Sequence, residues 1–302
     1  MAIRDEIAEN PPLHLQEPTA DAIWQCPTCA AQVSGKFCPA CGEKKLAVSD
    51  LSIRHFFTHA LGEFFHFDSK LFRSFSLLFT RPGFLTAEYL RGCRKPYLHP
   101  FQLFFVANLI YFVLKPYMGW SGLRTTLTLQ TKYMSYSGMA SRMVAARIAA
   151  KGISLEAFSH SFDHMVDLEA RSLVLVMVLI YAVLVAILQW RKKSFAGQHL
   201  AFCLHYTAFW LLALFIGVYG GSYWIMRLAA TKNISLPMLS SDKDLFVVSM
   251  ILMALYTARA IHVVYRDSPM MALLKGTALA LAFHFVLDVY RFVLFLTALY
   301  LS

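Results

Sequence analysis

The residues of this chain best suited to chemistry are four cysteines near its N-terminus. They form two Cys-x2-Cys pairs, Cys26 with Cys29 and Cys38 with Cys41, separated by eight residues. Each pair bends into a turn that aims two thiolates at one point, and two such turns on a short hairpin form a tetrahedral four-sulfur site suited to structural zinc. A Zn2+ ion held by four protein ligands keeps no open position for catalysis. We therefore predict a zinc ribbon over residues 24–45.

A pair of disulfides, or a redox pair, is the alternative for the same cysteines. The segment before them is acidic, lacks an apolar core and contains Pro11-Pro12, which is the reverse of a secretory signal peptide. We expect residues 1–23 to be a disordered leader and the ribbon to stay in the cytoplasm, where thiols remain reduced. Zinc is then favoured over disulfides, while Cys93 and Cys203 are interpreted as ordinary apolar residues.

The composition indicates a membrane protein. Hydrophobic residues make up 58% of the chain, charged residues 15%, and the mean hydropathy is +0.52. A soluble protein needs a more polar exterior, so lipid is the solvent that permits this composition. The net charge is +10, and the basic residues lie beside the ends of hydrophobic runs. There they meet anionic lipid, so we expect no nucleic-acid partner.

Five apolar runs are candidates for transmembrane helices of a bundle over residues 101–302, because about 20 apolar residues are needed to cross a bilayer. The runs are 101–118, 172–190, 200–220, 245–265 and 276–300. The first is the shortest and is interrupted by Lys115-Pro116. Residues 119–171 form an external loop in this prediction. The fold class is an all-α membrane protein with about five transmembrane helices and an N-terminal zinc ribbon.

Basic residues alternate between the ends of these runs. They precede the first run, lie between the second and third, and lie again between the fourth and fifth. The positive-inside rule places these segments in the cytoplasm. We therefore expect a cytoplasmic N-terminus and a periplasmic Ser302, with anionic lipid at the cytoplasmic face.

Residues 46–100 mix apolar and basic side chains too densely to span a bilayer, and we predict amphipathic helices in the membrane interface, broken at Arg81-Pro82-Gly83 and at Gly92. Within this segment His55, His59 and Glu63 recur every four residues and share one helix face. They could form a second metal site, or they could be the polar edge of an interfacial helix.

Ionisable groups within the apolar runs are functional candidates. The fifth run carries His284, Asp288 and Arg291 on one stripe, and His199 and His205 lie near the start of the third run. One hypothesis is a polar pocket between the two runs for a proton, an ion or a headgroup. The alternative is a set of interhelical ion pairs and hydrogen bonds that only fixes packing.

Three motifs carry a resemblance to a known family. They are the four-cysteine ribbon ahead of Arg81-Pro82-Gly83, then Tyr89-x2-Gly92-x-Arg94-x2-Tyr97-x2-Pro100, then Gln198-His199-Leu200-x4-His205-Tyr206-x2-Phe209. Together they resemble the bacterial domain-of-unknown-function family 3667, found in inner-membrane proteins of Gram-negative bacteria. The resemblance covers roughly residues 24–220. It implies a bacterial inner membrane and a ribbon-plus-helices layout, and it brings no activity.

The chain contains no glycine-rich nucleotide loop, nucleophile elbow or HExxH motif, which argues against the common enzyme classes. The favoured hypothesis is a non-enzymatic scaffold or regulator whose ribbon recruits a cytosolic protein. One alternative is a small transporter, or an ion- or proton-conducting component, that uses the intramembrane residues. A second is a membrane metalloenzyme built on the connector histidines.

Overall fold

The structure, a computed structural model, describes residues 23–47, 50, 69–118, 123, 125–192, 194–232, 234 and 242–302. It contains a small N-terminal hairpin followed by helices. The hairpin strands are β1, Trp24–Gln25, and β2, Gln32–Val33. The helices are α1 Ser69–Thr80, α2 Phe84–Arg91, α3 Pro100–Leu114, α4 Leu127–Lys132, α5 Ser137–Lys151, α6 Leu155–Leu188, α7 Ala196–Ala230, α8 Asp242–Tyr265 and α9 Pro269–Leu301.

Within the described residues, four helices are long and apolar enough to cross a membrane. They are α6, α7, α8 and α9. Helix α3 has only 15 residues before a 3-10 turn at Lys115–Tyr117, so it reaches roughly 22 Å of a bilayer core near 30 Å. The prediction of an all-α membrane protein with about five spans and an N-terminal cysteine cluster is confirmed, and α3 is the short member.

Helix α6 shows why these sequences pack as a bundle. Its fully or nearly fully buried residues recur every three or four positions: Phe158, Phe162, Val166, Ala170, Val174, Met177, Val178, Tyr181 and Val185. That spacing draws one stripe along a helix of 3.6 residues per turn. The stripe contacts α7 and α9, and the other faces of α6 keep their apolar side chains exposed, as lipid allows. The predicted span 172–190 is thus the second half of a longer helix.

Helices α8 and α9 form a tight antiparallel pair. A side chain at Gly276 of α9 would place its Cβ 2.6 Å from the backbone nitrogen of Ala258 and 2.9 Å from the carbonyl oxygen of Ala254. Small residues let helix backbones approach this closely in a membrane, where burial of apolar surface gives little drive for association.

The short helices α1 and α2 pack against the bundle. They are separated by a turn at residues 81–83, and α2 ends at Gly92; these are the two breaks that the sequence predicted. Gly83 has φ +82°, and a Cβ there would lie 2.8 Å from the carbonyl oxygen of Ala260 in α8. The Tyr256 hydroxyl of α8 also donates to the carbonyl of Leu78 in α1. This part of the predicted interfacial connector is therefore fixed to two of the long helices, since Thr86 of α2 also contacts His205 of α7.

The bundle has two ends that can be told apart by their contacts. At one, here called the ribbon end, Lys192 after α6 donates to the carbonyl of Tyr265 at the end of α8. Helices α1 and α2 pack beside the halves of α7 and α8 nearest that end. At the other, the far end, Arg147 of α5 donates to the carbonyl of Tyr300, and Lys151 contacts Ser302. The N-terminal hairpin contacts the chain just after α2, through Glu43 and the amides of Arg94 and Lys95. The hairpin and the C-terminus therefore lie at opposite ends.

Candidate metal centre

The four predicted cysteines converge on one point. The Sγ atoms of Cys26 and Cys41 are 3.5 Å apart, as are those of Cys29 and Cys38, and all four sulfurs lie within 4.8 Å of one another. A disulfide would bring two sulfurs to roughly 2 Å, and all four cysteines are free. Four sulfurs at roughly 2.3 Å from a tetrahedral ion would be spaced at roughly 3.8 Å. The cluster therefore fits a metal ion and does not fit disulfides.

The backbone builds the two halves of the cluster in the same way. The amide of Cys26 donates to the carbonyl of Ala31, and the amide of Ala30 donates to the carbonyl of Cys26, both at 2.9 Å. The second half repeats the pattern at 2.8 Å, with Cys38 donating to Glu43 and Gly42 donating to Cys38. The fifth residue of each turn has positive φ, +60° at Ala30 and +73° at Gly42. Glycine adopts this conformation freely, whereas alanine is strained in it.

Ionisation of the sulfurs is uneven. Burial opposes ionisation of Cys38, but the backbone amides of Cys41 and Ala40 point at its sulfur and lower its pKa to about 7. The amide of Glu43 lowers the pKa of Cys41, but burial and the neighbouring sulfurs outweigh it and raise that pKa to about 12. Sulfurs this close repel one another as thiolates, and a divalent cation among them would remove that repulsion. The donor set thus fits a soft divalent ion such as Zn2+.

The cysteine hairpin is seated on the chain between α2 and α3. The Glu43 carboxylate is buried, with 2% of the residue exposed. One of its oxygens accepts hydrogen bonds from the backbone amides of Arg94 at 3.1 Å and Lys95 at 3.0 Å, and from the Thr28 hydroxyl at 2.7 Å. A carboxylate that receives backbone donors in this way makes strong, charge-assisted hydrogen bonds. Glu43 therefore joins both halves of the hairpin to the helical part of the chain, α1 to α9, which is called the membrane domain below.

Two further contacts complete the seat. A Cβ at Gly92, where φ is +90°, would lie 3.3 Å from the Cβ of Leu46 and 3.8 Å from Pro27. Cys93 is buried there, and its sulfur contacts the Thr28 hydroxyl at 3.3 Å. Burial raises the pKa of the Cys93 thiol, and Cys93 is not a member of the group of four clustered cysteines.

Residues 68–112 match the family described as protein of unknown function (DUF3667). The resemblance to this family that the sequence motifs indicated is therefore confirmed over residues 68–112. No curated protein matches the chain, and no solved structure matches it. The DUF3667 segment contains α1, α2, the loop that seats the hairpin and most of α3.

The motif residues of the DUF3667 segment shape that loop. The guanidinium of Arg94 lies 4.3 Å from the centre of the Tyr89 ring, and the Tyr89 hydroxyl contacts His99 at 3.3 Å. His99 then caps α3: its side chain accepts from Phe101, while the Gln102 side chain accepts from the His99 amide. With Pro100 at the first helical position, these residues end one helix and begin the next.

The five predicted intramembrane residues fall into separate places. His199 contacts the Tyr265 hydroxyl at 2.9 Å and His205 contacts the Thr86 hydroxyl at 2.8 Å, both near the ribbon end. Arg291 lies roughly 33 Å along α9 from Pro269 at 1.5 Å per residue, where its carbonyl accepts from Gln130 of α4. The single pocket proposed between the third and fifth runs is not formed among the described residues.

The three residues predicted on one stripe of α9 do not share one buried environment. His284 is exposed on the bundle surface, beside the ring of Phe246. Asp288 and Arg291 lie 3.9 Å apart, with 44% of the Asp288 side chain exposed. That is a loose and partly exposed pair, which contributes little to stability compared with a close, buried one.

The predicted second metal site of His55, His59 and Glu63 lies outside the described residues. Among the residues that are described, the four cysteines form the one group of three or more metal-ligating side chains close enough to share an ion. Asp163 of the predicted external loop lies on α6, where its carboxylate accepts the amide of Leu127 at 2.8 Å.

Sequence reasoning missed a polar cluster at the ribbon end. Asp267, 6% exposed, forms ion pairs with Lys192 and Lys275, both at 2.8 Å. Gln189 donates to the same carboxylate at 3.0 Å and accepts from Lys275 at 2.8 Å. Burial alone would raise the Asp267 pKa, but these donors lower it to about 2. A lone acidic residue in a basic loop between two apolar runs was the available signal.

Proposed function

We propose that this protein is a non-enzymatic scaffold or regulator of the bacterial inner membrane, whose cytoplasmic zinc ribbon recruits a cytosolic protein. The observation that carries the proposal is the seating of the hairpin on the DUF3667 segment. One edge, through Pro27, Thr28 and Glu43, contacts the membrane domain. The opposite edge, Ser34–Ala40 apart from Cys38, stays exposed, with 57% of Phe37 accessible.

The closed sulfur cluster supports a structural metal. Four protein ligands leave a zinc ion no position for substrate or water, so the ion would fix the hairpin's shape. Lys36 and Phe37 stand together at its outer tip. An exposed aromatic beside a cation is a common anchor in protein interfaces. The proposed partner-binding surface is this tip.

Orientation follows the charge distribution. Arg191, Lys192 and Lys275 lie at the ribbon end, together with the basic residues of the DUF3667 segment. The positive-inside rule assigns that end to the cytoplasm, where anionic lipid headgroups attract the same residues.

The proposal can be tested with a photo-crosslinking amino acid placed at Phe37 in the full-length membrane protein. We expect a crosslink to a cytosolic protein that disappears in the Cys38→Ser variant, because the tip loses its shape without the metal. The same label at Phe72, which is 80% exposed on α1, is the matched control. Purified protein without bound zinc, or an identical product from both positions, would contradict the proposal.

A second candidate function, proton or ion conduction, is favoured by one observation. Nε2 of His205 is buried and has no hydrogen-bond partner among the described residues, while its Nδ1 atom contacts Thr86. Unpartnered ionisable atoms at membrane depth are functional candidates. Proton flux in liposomes that falls in His205→Gln and persists in Phe37→Ser would favour conduction over recruitment.

A further inference from the structure

Glu43 is a direct link between the cysteine cluster and the membrane domain. It follows Cys41 by two residues, and its own carbonyl accepts the amide of Cys38, so its position is set by the fold of the second cysteine turn. Its side chain reaches out of the hairpin to the amides of Arg94 and Lys95. Within the described residues these two amides donate to no other acceptor.

The fold of the hairpin depends on its ligands. Its buried apolar residues are Cys26, Val33 and Cys38, so two of the three are themselves members of the sulfur cluster. A module with so little core folds through metal binding and unfolds when the metal is removed. Without the fold, the Glu43 carboxylate would not be held against the loop.

The loop leads directly into the bundle. It joins α2, which contacts His205 of α7 through Thr86, to the capped start of α3 at His99. Loss of the hydrogen bonds from Arg94 and Lys95 to Glu43 would therefore free a loop that connects α2 directly to α3. The amides a few residues further on donate to helices and not to the hairpin: Leu98 donates to Ser74 of α1, and His99 donates to Gln102 of α3.

From these contacts we infer that occupancy of the four-cysteine site is transmitted to the membrane domain through Glu43, which acts as a positioning residue for the loop 92–95. The ribbon is then a metal-dependent brace of the DUF3667 segment as well as a recruiting surface. The inference rests on the metal binding proposed above, and it does not depend on the identity of any partner.

Hydrogen–deuterium exchange of the full-length protein in nanodiscs, resolved to single amides, tests the inference. Zinc-loaded wild-type protein is compared with the same protein after treatment with a chelator. We expect exchange at Arg94 and Lys95 to rise about tenfold or more on metal removal, as expected for loss of hydrogen bonds to a charged acceptor. Exchange at Leu98 and His99, whose acceptors lie on α1 and α3, should change less than about twofold.

Two variants separate the link from the metal site. In Glu43→Ala, Arg94 and Lys95 should already exchange fast with zinc bound, and the chelator should have little further effect. Glu43→Gln keeps an oxygen acceptor without the charge and should give intermediate protection. Zinc content of each variant, measured by mass spectrometry, shows whether the site is still loaded; if Glu43→Ala does not load, Glu43→Gln and wild type decide the result.

The outcomes are distinguishable. If the chelator makes the amides of Ala30 and Gly42 exchange fast but leaves Arg94 and Lys95 protected, the ribbon binds metal and the link through Glu43 is wrong. If wild-type protein binds no zinc at all, both this inference and the proposed function fail. If Leu98 and His99 respond as strongly as Arg94 and Lys95, the effect is general unfolding and the specific role of Glu43 is overturned.

Discussion

At the residue scale, the two cysteine turns have the same backbone hydrogen bonds but a different residue at their fifth position. Both need positive φ at their fifth position, yet one has glycine there and the other has alanine. A non-glycine residue in the left-handed region costs on the order of 1 kcal/mol. The first turn therefore stores strain that the second does not.

Exchanging these residue types gives a matched pair of variants. Ala30→Gly should relieve the strain and tighten zinc binding by up to roughly fivefold, since metal binding and folding of the module are one equilibrium. Gly42→Ala should weaken binding by a similar factor, because its Cβ would meet only the flexible end of Lys95 at 3.7 Å and would add strain alone. Competition with a chromogenic chelator measures both. Weaker binding by Ala30→Gly would contradict the assigned backbone conformation.

Asp267 gives a pH-dependent prediction at the same scale. Its pKa of about 2 lies below the value of 3.8 for a free aspartate, so its contribution to stability is present above about pH 4 and is lost as the pH falls toward 2. Asp267→Asn should lower stability at pH 7 by about 2 kcal/mol and should flatten the acid dependence in that window. Thermal unfolding in detergent measures this, with the exposed Glu156→Gln as control. An unchanged acid profile in Asp267→Asn would show that other carboxylates govern it.

At the scale of the elements, close backbone contact decides how the long helices pair. Helix α9 meets α8 at Gly276 with no room for a methyl group. Helix α7 contains a ten-residue π-helical stretch, Leu211–Gly220, that contacts α3, and Gly221 directly after it has open space around its Cβ position.

Alanine at these two helical glycines should therefore act in opposite directions. Gly276→Ala must push α8 and α9 apart and should lower stability by about 2 kcal/mol or more. Gly221→Ala meets nothing and should raise stability by up to about 1 kcal/mol, through helix propensity. Both are read from thermal unfolding in the same detergent. Equal effects of the two variants would mean that the α8–α9 contact is looser than the structure indicates.

At the scale of the whole molecule, the contacts place the ribbon and the C-terminus at opposite ends of the bundle. Four long helices alone would return the chain to the end where α6 began, which is the far end. The short α3 must therefore carry the chain from the ribbon end to the far end, although it is shorter than a usual span.

Topology reporters test that arrangement. Alkaline phosphatase fused after Ser302 should be active, since it would lie in the periplasm, and the same fusion at Lys193 should be inactive. A fluorescent protein that folds only in the cytoplasm should give the reverse pattern. With the ribbon in the cytoplasm, the opposite result, an active phosphatase at Lys193 and an inactive one after Ser302, would mean that α3 does not carry the chain across.

The sequence by itself determined the properties that depend on local spacing and composition. The Cys-x2-Cys pairs, the apolar runs, the breaks at Gly83 and Gly92 and the family motifs are all visible within short windows, because turns, helix periods and hydropathy are local properties. The membrane class and the candidate metal ligands followed from these windows alone.

Only the tertiary structure decided which distant residues meet. Glu43 pairs with amides more than 50 positions away, Asp267 pairs with Lys192 across two helices, and His205 is far from Arg291 although both lie in apolar runs. Such contacts depend on how helices of nearly uniform apolarity pack together, and hydropathy does not encode that choice. How the helices pack is decided instead by their close approach at small residues and by the pairing of buried polar groups.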